Sequence, residues 1–302
     1  MTAGLVLLTG ATGLIGRQCP AALRALGFEV LAASRAGQPV AGAEGVALDC
    51  LDPLAVQHLL RKRRPSHLLH LAWHDGASGR WTAPGNLNWV GASLHLLQAF
   101  AAAGGQRVVM VGSCAEYDWR QAAAGALSEE SPLHPATLYG AAKAATGMAA
   151  MAGAGALALS LAWARPFFCF GPGEPAGRLF GDLIRGLAAG TPVDCTDGVQ
   201  ERDFMATPDL ARALAALLAS PVTGAVNIGT GRALPVRALI AEVARQMGGT
   251  DLVRLGARPR PAEDPVRLLA DVTRLHEEVG HRGFLPLEEA VRLTLAAERV
   301  AE

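Results

Sequence analysis

Short apolar runs alternate with helix-length stretches through the first half of the chain, and that alternation restricts the fold more than any other feature. The runs are LVLLT (5–9), EVLAAS (29–34), GVALD (45–49), HLLHLAW (67–73), RVVMVGS (107–113) and ALSLAWA (158–164). Helix-like segments lie between them at 14–26, 53–63, 86–103 and 138–151. A strand that is apolar along its whole length is covered on both faces, and helices between such strands supply the cover. The expected class is therefore α/β, with a parallel sheet over residues 1–165. The alternation then dissolves into loops rich in Gly and Pro, with one clear strand, AVNIGT (225–230). Residues 166–302 are expected to form a smaller lobe that closes a cleft, some segments folding back on the first domain. The 302 residues suffice for a sizeable core, and no internal repeat is apparent.

The first strand runs into TGATGLIG, where Gly10, Gly13 and Gly16 are spaced GxxGxxG before a helix expected to begin near Leu14. Glycines there let the backbone turn tightly and approach a pyrophosphate, which the free N–H groups of the helix start then hold. Dinucleotide binding is expected, with Thr12, Leu14 and Ile15 of the same turn taking part. The second strand ends in Ser34-Arg35 with no acidic residue to hold an NAD ribose. Arg35 suits a 2′-phosphate, so NADP(H) is favoured over NAD(H), which stays open. Asp49, followed by Cys50 after the third strand, is placed for the adenine amino group.

Tyr139 and Lys143 stand four residues apart in YGAAK, one turn apart on one helix face, 26 residues beyond Ser113. A lysine ammonium beside a phenol favours the phenolate, which makes the tyrosine an acid or base for carbonyl reduction or alcohol oxidation. Ser113 sits at the carboxyl end of a strand, where open α/β sheets place their ligands.

Other features exclude more than they add. Charge is balanced at 27 basic and 27 acidic residues, so no nucleic acid or anionic membrane partner is expected. Arg61-Lys62-Arg63-Arg64 falls at a helix C-terminus, where cations suit the dipole. Five scattered cysteines without CxxC spacing fit reduced thiols in the cytoplasm. The N-terminal MTAGLVLLTG has no basic segment and reads as a buried strand, not a signal peptide. Residues 144–164 carry no charge, but their Ala and Gly content reads as a buried helix followed by a buried strand. His67 and His70 fall on opposite faces of a strand, so no metal site is expected. His74 and Asp75 lie just past that strand at the expected substrate pocket, which Trp73, Trp81, Trp89 and Trp119 are candidates to wall. No nucleophile-elbow motif supports hydrolysis.

In order along the chain come TGATGLIG, HLAW (70–73), Asn88, Ser113, YGAAK, RPFFCFGPG (165–173), ERDF (201–204) and VNIGTG (226–231). Together these resemble the extended short-chain dehydrogenase/reductases, in the NAD-dependent epimerase/dehydratase branch acting on nucleotide sugars. The resemblance covers nearly the whole chain. It implies a Rossmann-type doubly wound sheet with a C-terminal substrate-binding lobe, a nucleotide-sugar substrate and a homodimer formed through helices of the first domain. It assigns Ser113 to the substrate oxygen, Tyr139 to proton transfer, and Lys143 to lowering the tyrosine pKa and holding the nicotinamide ribose. Leu71, Ala72, Trp73, Asn88, Tyr139 and Pro166 would touch the cofactor. His74, Ser113, Cys114, Ala115, Phe168, Arg178 and Arg202 would touch the substrate, Arg202 matching an arginine that reaches its phosphates.

The departures narrow the activity. Dehydratases of this kind carry Asp-Glu just after the Ser/Thr position, whereas Cys114-Ala115-Glu116 follows Ser113 here. Phe168 stands where many relatives have an asparagine, and Ala206-Thr207-Pro208 replaces a common His-Val-Asp. The expected activity is reduction of a nucleotide-linked 4-keto-6-deoxyhexose. Epimerisation with retained NAD is the alternative, and a non-catalytic dinucleotide sensor is a weaker one.

Overall fold

The computed structural model describes residues 3–74 and 79–301, without the side chains of 123, 124 and 299–301. Asp75 lies outside the described residues. The first half runs β1 (Gly4–Thr9), α1 (Cys19–Ala25), β2 (Phe28–Ser34), β3 (Glu44–Ala47), α2 (Pro53–Arg63), β4 (His67–His70), α3 (Gly85–Ala102), β5 (Arg107–Val111), α4 (Leu138–Gly153) and β6 (Ser160–Pro166). The second runs β7 (Phe168–Phe170), α5 (Leu179–Ala188), β8 (Val193–Asp194), β9 (Glu201–Ala206), α6 (Thr207–Ala219), β10 (Gly224–Ile228), β11 (Ala233–Pro235), α7 (Val236–Met247), β12 (Val253–Arg254), β13 (Arg267–Leu268), α8 (Thr273–Glu277) and α9 (Leu287–Ala301).

Seven strands form one sheet in the order β10-β6-β5-β4-β1-β2-β3, every pair parallel. This is the Rossmann-type α/β architecture. The strand order reverses between β1 and β4, so a crevice opens at their carboxyl ends, where such sheets bind ligands. Register brings the key positions to that one edge, since Thr9 faces both Ala33 and His70, His70 faces Met110, and Met110 faces Trp163. One core cluster joins one sheet face to α1 and α6, and another joins the opposite face to α2 and α3. Residues of the second half thus complete the first, because β10 extends the sheet beside β6 and α6 packs on α1.

The C-terminal half holds more strands than the one expected. Short β7, β11 and β13 all pair with β9, and β8 pairs with β12. Their two to six residues, several charged, show no alternation long enough to read. The segment 144–164 divides into α4 and β6, but α4 is not buried all round. Ala141, Ala145, Met148, Ala149 and Ala152 are exposed, because only one side of the helix packs on α3 and the sheet. No helix among the described residues is long and apolar enough to cross a membrane. The basic run ends α2 as expected, with Arg64 in a left-handed cap (φ 46°) and Arg63 paired with Glu44 at 2.6 Å.

Candidate active site

The glycine turn is built by packing. A Cβ on Gly16 would overlap the Gly10 carbonyl, and Gly10 itself has φ +68° with the Ala72 backbone against it. Both positions therefore need glycine. The chain passes through a short 3-10 turn at 16–18 before α1 starts at Cys19, later than the expected Leu14. Pro20 in the first turn and the tight glycine packing account for the delay. Gly13 is exposed, and the N–H groups of Leu14 and Ile15 make no hydrogen bond among the described residues. Those free donors at an open backbone fit a dinucleotide phosphate. Arg17, absent from the sequence expectations, secures the turn by donating to the carbonyls of Thr12 and Gly13 (3.0 and 3.2 Å).

Around that turn, Ser34 and Arg35 close β2, with Ser34 Oγ accepting the Gln38 N–H. Asp49 is exposed and caps its own turn through the Leu51 N–H at 2.9 Å. Cys50 and Asn88 line one surface hollow between the end of β3 and α3.

A second cleft opens at the ends of β4, β5 and β6. Leu71, Trp73, His74, Val111, Ser113, Cys114, Ala115, Tyr139, Lys143, Pro166, Phe168 and Arg178 all line it, as does Ile15 from the glycine turn. Ser113 is set by a capping box: its Oγ accepts the Ala115 N–H, and Glu116 Oε1 accepts the Ser113 N–H at 2.8 Å. Gly140 lets α4 approach that turn, since a Cβ there would overlap the Ala115 carbonyl. Ser113 and Tyr139 thereby line the same cleft, where the serine hydroxyl favours the phenolate.

Glu116 itself faces inward. It is fully buried and accepts from Trp163 Nε1 (3.0 Å) and Arg165 Nε (2.8 Å). Arg165 also donates to the Tyr117 hydroxyl, which in turn donates to Asn227 Oδ1 at 2.6 Å. Burial pushes the Glu116 carboxyl up against the pull of Arg165. This carboxylate is a structural anchor for the Ser113 turn and does not line the cleft.

The lysine departs from expectation. Lys143 Nζ donates to the Val111 carbonyl at 2.7 Å and lies 3.7 Å from the centre of the Trp73 ring. Burial lowers its pKa to about 7, the nearby Glu116 opposing. Burial also pushes the Tyr139 phenol up to about 12, and the groups that pull it back are Ser113 and Arg80, not Lys143. The i,i+4 spacing puts the two residues on one helix face, but the lysine reaches back to β5. Arg80, which no motif singled out, lies in the same cleft.

Trp73, Trp81 and Trp119 wall the cleft, while Trp89 stacks behind Trp73 at 6.1 Å. His70 is not on the cleft lining. It is buried between Thr9 Oγ1 (2.7 Å) and Ser93 Oγ (2.9 Å), and burial holds it neutral with a pKa near 3. His67 pairs with Ser66 and Phe28, and among the described residues no cluster could hold a metal. Arg178 is bound to Glu174 at 2.6 Å. Arg202 lies in an adjoining hollow with Phe168 and Arg258, held by Asp264 at 2.5 Å and the Pro265 carbonyl. Asp264 and Arg258 were not anticipated, because the loop 255–266 carries no periodic signal.

The model of the NAD dependent epimerase/dehydratase family matches residues 6–229, which include the glycine turn, Ser113, Tyr139 and Lys143. The chain belongs to that family. It is an NAD(P)-dependent enzyme of the extended short-chain dehydrogenase/reductase type. Among its relatives, a dTDP-6-deoxy-L-talose 4-dehydrogenase (NAD(P)(+)) of Kitasatospora kifunensis is 29% identical over 98% of this chain and 96% of its own. A UDP-glucose 4-epimerase of Streptomyces lividans is 28% identical over 92% of this chain and 91% of its own. Of solved structures, MoeE5 in complex with UDP-glucose and NAD superposes with a TM-score of 0.85, at 30% identity over 99% of both chains.

Proposed function

We propose that this family member is an NAD(P)H-dependent ketoreductase of a nucleotide-linked sugar of the 4-keto-6-deoxyhexose type. The observation that carries the reading is that Ser113 and Tyr139 line one cleft in which Cys114 and Ala115, not acids, follow the serine. With Glu116 committed to Arg165, no carboxylate beside the serine is available to expel water. When bound, the nicotinamide supplies a hydride. The residues to hold the cofactor are Gly10–Gly16, Ser34, Arg35, Asp49, Cys50, Leu71–Trp73, Asn88, Lys143 and Pro166.

Ser113 donates to the substrate oxygen, and Tyr139 transfers its proton to that oxygen as the carbonyl carbon is reduced. Trp81, Trp119 and Phe168 offer an apolar wall that suits a sugar methyl group. Arg178 and Arg202 sit on the route toward the nucleotide and serve its phosphates. In this reading residues 1–165 hold the cofactor and 166–302 the substrate. Ser34-Arg35, without a carboxylate, favours NADP(H). The five free thiols suit a cytoplasmic setting. The reading includes a homodimer through α3 and α4, which the uncharged outer faces of these helices favour, Leu87 and Met148 each being 60% exposed. A monomeric mass in light scattering would contradict it.

The test is incubation with NADPH and a panel of nucleotide-linked 4-keto-6-deoxysugars. Stoichiometric loss of the reduced-nicotinamide absorbance is expected. Protein that purifies with tightly held NAD and interconverts sugar epimers without net oxidation would overturn the reductase. That second reading, an epimerase, is favoured by the likeness to MoeE5, whose structure holds UDP-glucose and NAD.

A further inference from the structure

Tyr139 is one of only two tyrosines in the chain, and its surroundings are asymmetric. On its own helix, Lys143 is engaged by the Val111 carbonyl and the Trp73 ring. The turn after β5 presents Cys114 and Glu116, either of which opposes a phenolate when charged. From the segment after β6 come Cys169 and Arg178, whose guanidinium is taken by Glu174. His74 stands on the same wall after β4. Among the described residues the remaining group is Arg80, between β4 and α3.

Residues 79–84, which carry it, are fixed against the tyrosine. The Arg80 guanidinium lies 4.7 Å from the centre of the Trp81 ring, and Trp81 meets the Tyr139 ring edge-on at 5.5 Å and 90°. The Trp81 carbonyl accepts the Tyr139 N–H at 3.0 Å. Asn86, fully buried, donates to the carbonyls of Arg80 (2.7 Å) and Ala83 (2.9 Å) and accepts from Trp73 Nε1 (2.8 Å). One amide thus ties the loop that bears Arg80 to the tryptophan that covers Lys143.

We propose that Arg80 is a positioning residue for Tyr139, a second cation held on Trp81 that stabilises the phenol's anion once its proton has passed to the substrate oxygen. The proposal rests on the reading of Tyr139 as the proton donor. A cation near a phenol favours the phenolate, more strongly where burial weakens solvent screening. Arg80 is itself half-buried and acts on Tyr139 in that sense, against the opposing effect of burial. Trp81 confines the guanidinium by a cation–π contact, so the charge stays on the tyrosine's side of the cleft.

The test replaces both tyrosines by difluorotyrosine, whose phenol ionises near neutral pH, and follows each by fluorine NMR. Tyr139→Phe assigns the two signals. Arg80→Gln is expected to raise the midpoint at position 139 by about one pH unit, a tenfold change in proton affinity. The signal of Tyr117, enclosed by Arg165 and Asn227, should not move. Arg80→Lys should restore most of the shift. Arg80→Met, which keeps an apolar stem over Trp81, serves if the glutamine variant does not fold. An unmoved midpoint in the variants without charge, or the same shift in Arg80→Lys, overturns the proposal. The titration needs no turnover, so it can fail while the ketoreductase reading stands, and the reverse.

Discussion

The two halves of the molecule hold their functional side chains by different means. In the first half the main chain does most of it. The glycine turn presents bare N–H groups, the Val111 carbonyl fixes Lys143, the Trp81 carbonyl meets α4 at Tyr139, and a capping box sets Ser113. In the second half, side-chain ion pairs join main-chain contacts, with Arg178 on Glu174 and the Cys169 carbonyl and Arg202 on Asp264 and the Pro265 carbonyl. Backbone placement follows from strand register and helix packing, so it tolerates little change. Each of these pairs has one buried and one partly exposed partner, and the exposed side leaves room for the pair to be redirected when a charged ligand arrives. On the proposed assignment of residues 1–165 to the cofactor and 166–302 to the substrate, the cofactor side is the more rigid and the substrate side the more adjustable.

The comparison can be broken in five places. Tyr139→Phe should have the largest effect, lowering turnover about 10²–10⁴-fold while cofactor affinity stays. Equal loss of cofactor binding in a titration would mean that the phenol holds the cofactor instead. Next come two carboxylates measured by denaturant unfolding. Glu116→Gln leaves Arg165 buried without its anion and should cost about 3–5 kcal/mol. Asp264→Asn, at a pair whose arginine is buried but whose acid is a quarter exposed, should cost less, about 1–2 kcal/mol. Equal costs would remove the distinction between the halves.

Arg35→Ala is expected to weaken NADPH binding about tenfold more than NADH binding, through loss of one charge-assisted contact. Equal effects on the two would discard the NADP assignment. The last effect is a slope, about 1.4 kcal/mol per pH unit. Lys143 titrates near 7 in the folded protein and at its ordinary 10.5 when unfolded. Between those values the unfolded chain binds more protons, so stability of the nucleotide-free protein should rise with pH across that window. Subtracting the thermal-melting profile of Lys143→Met exposes the slope, and parallel profiles would contradict it.

Much of this was legible in the sequence, for reasons that also explain the rest. Strands covered on both faces are apolar from end to end, and glycines packed against backbone cannot be replaced, so β1 to β6 and the turn after β1 stand out. Ser113 and Tyr139 could be paired because each occupies the end of a readable element. The partners of Lys143 were not readable, since the spacing to Tyr139 fixes a helix face but not where a long side chain ends. Arg80 lay in an aperiodic loop, and its relevance depends on Asn86 and Trp81 folding that loop over α4. The small sheet of β7, β9, β11 and β13 is assembled from fragments too short to show a period.

The central claim is hydride delivery to a sugar carbonyl with Tyr139 supplying the proton. Its most direct test uses NADPH deuterated at the transferable position with a nucleotide-linked 4-keto-6-deoxysugar, and reads the product by NMR. One deuterium on the reduced ring carbon, matched to the cofactor oxidised and abolished by Tyr139→Phe, is the predicted result. Sugar that changes configuration without acquiring deuterium, while the added cofactor stays reduced, would contradict it.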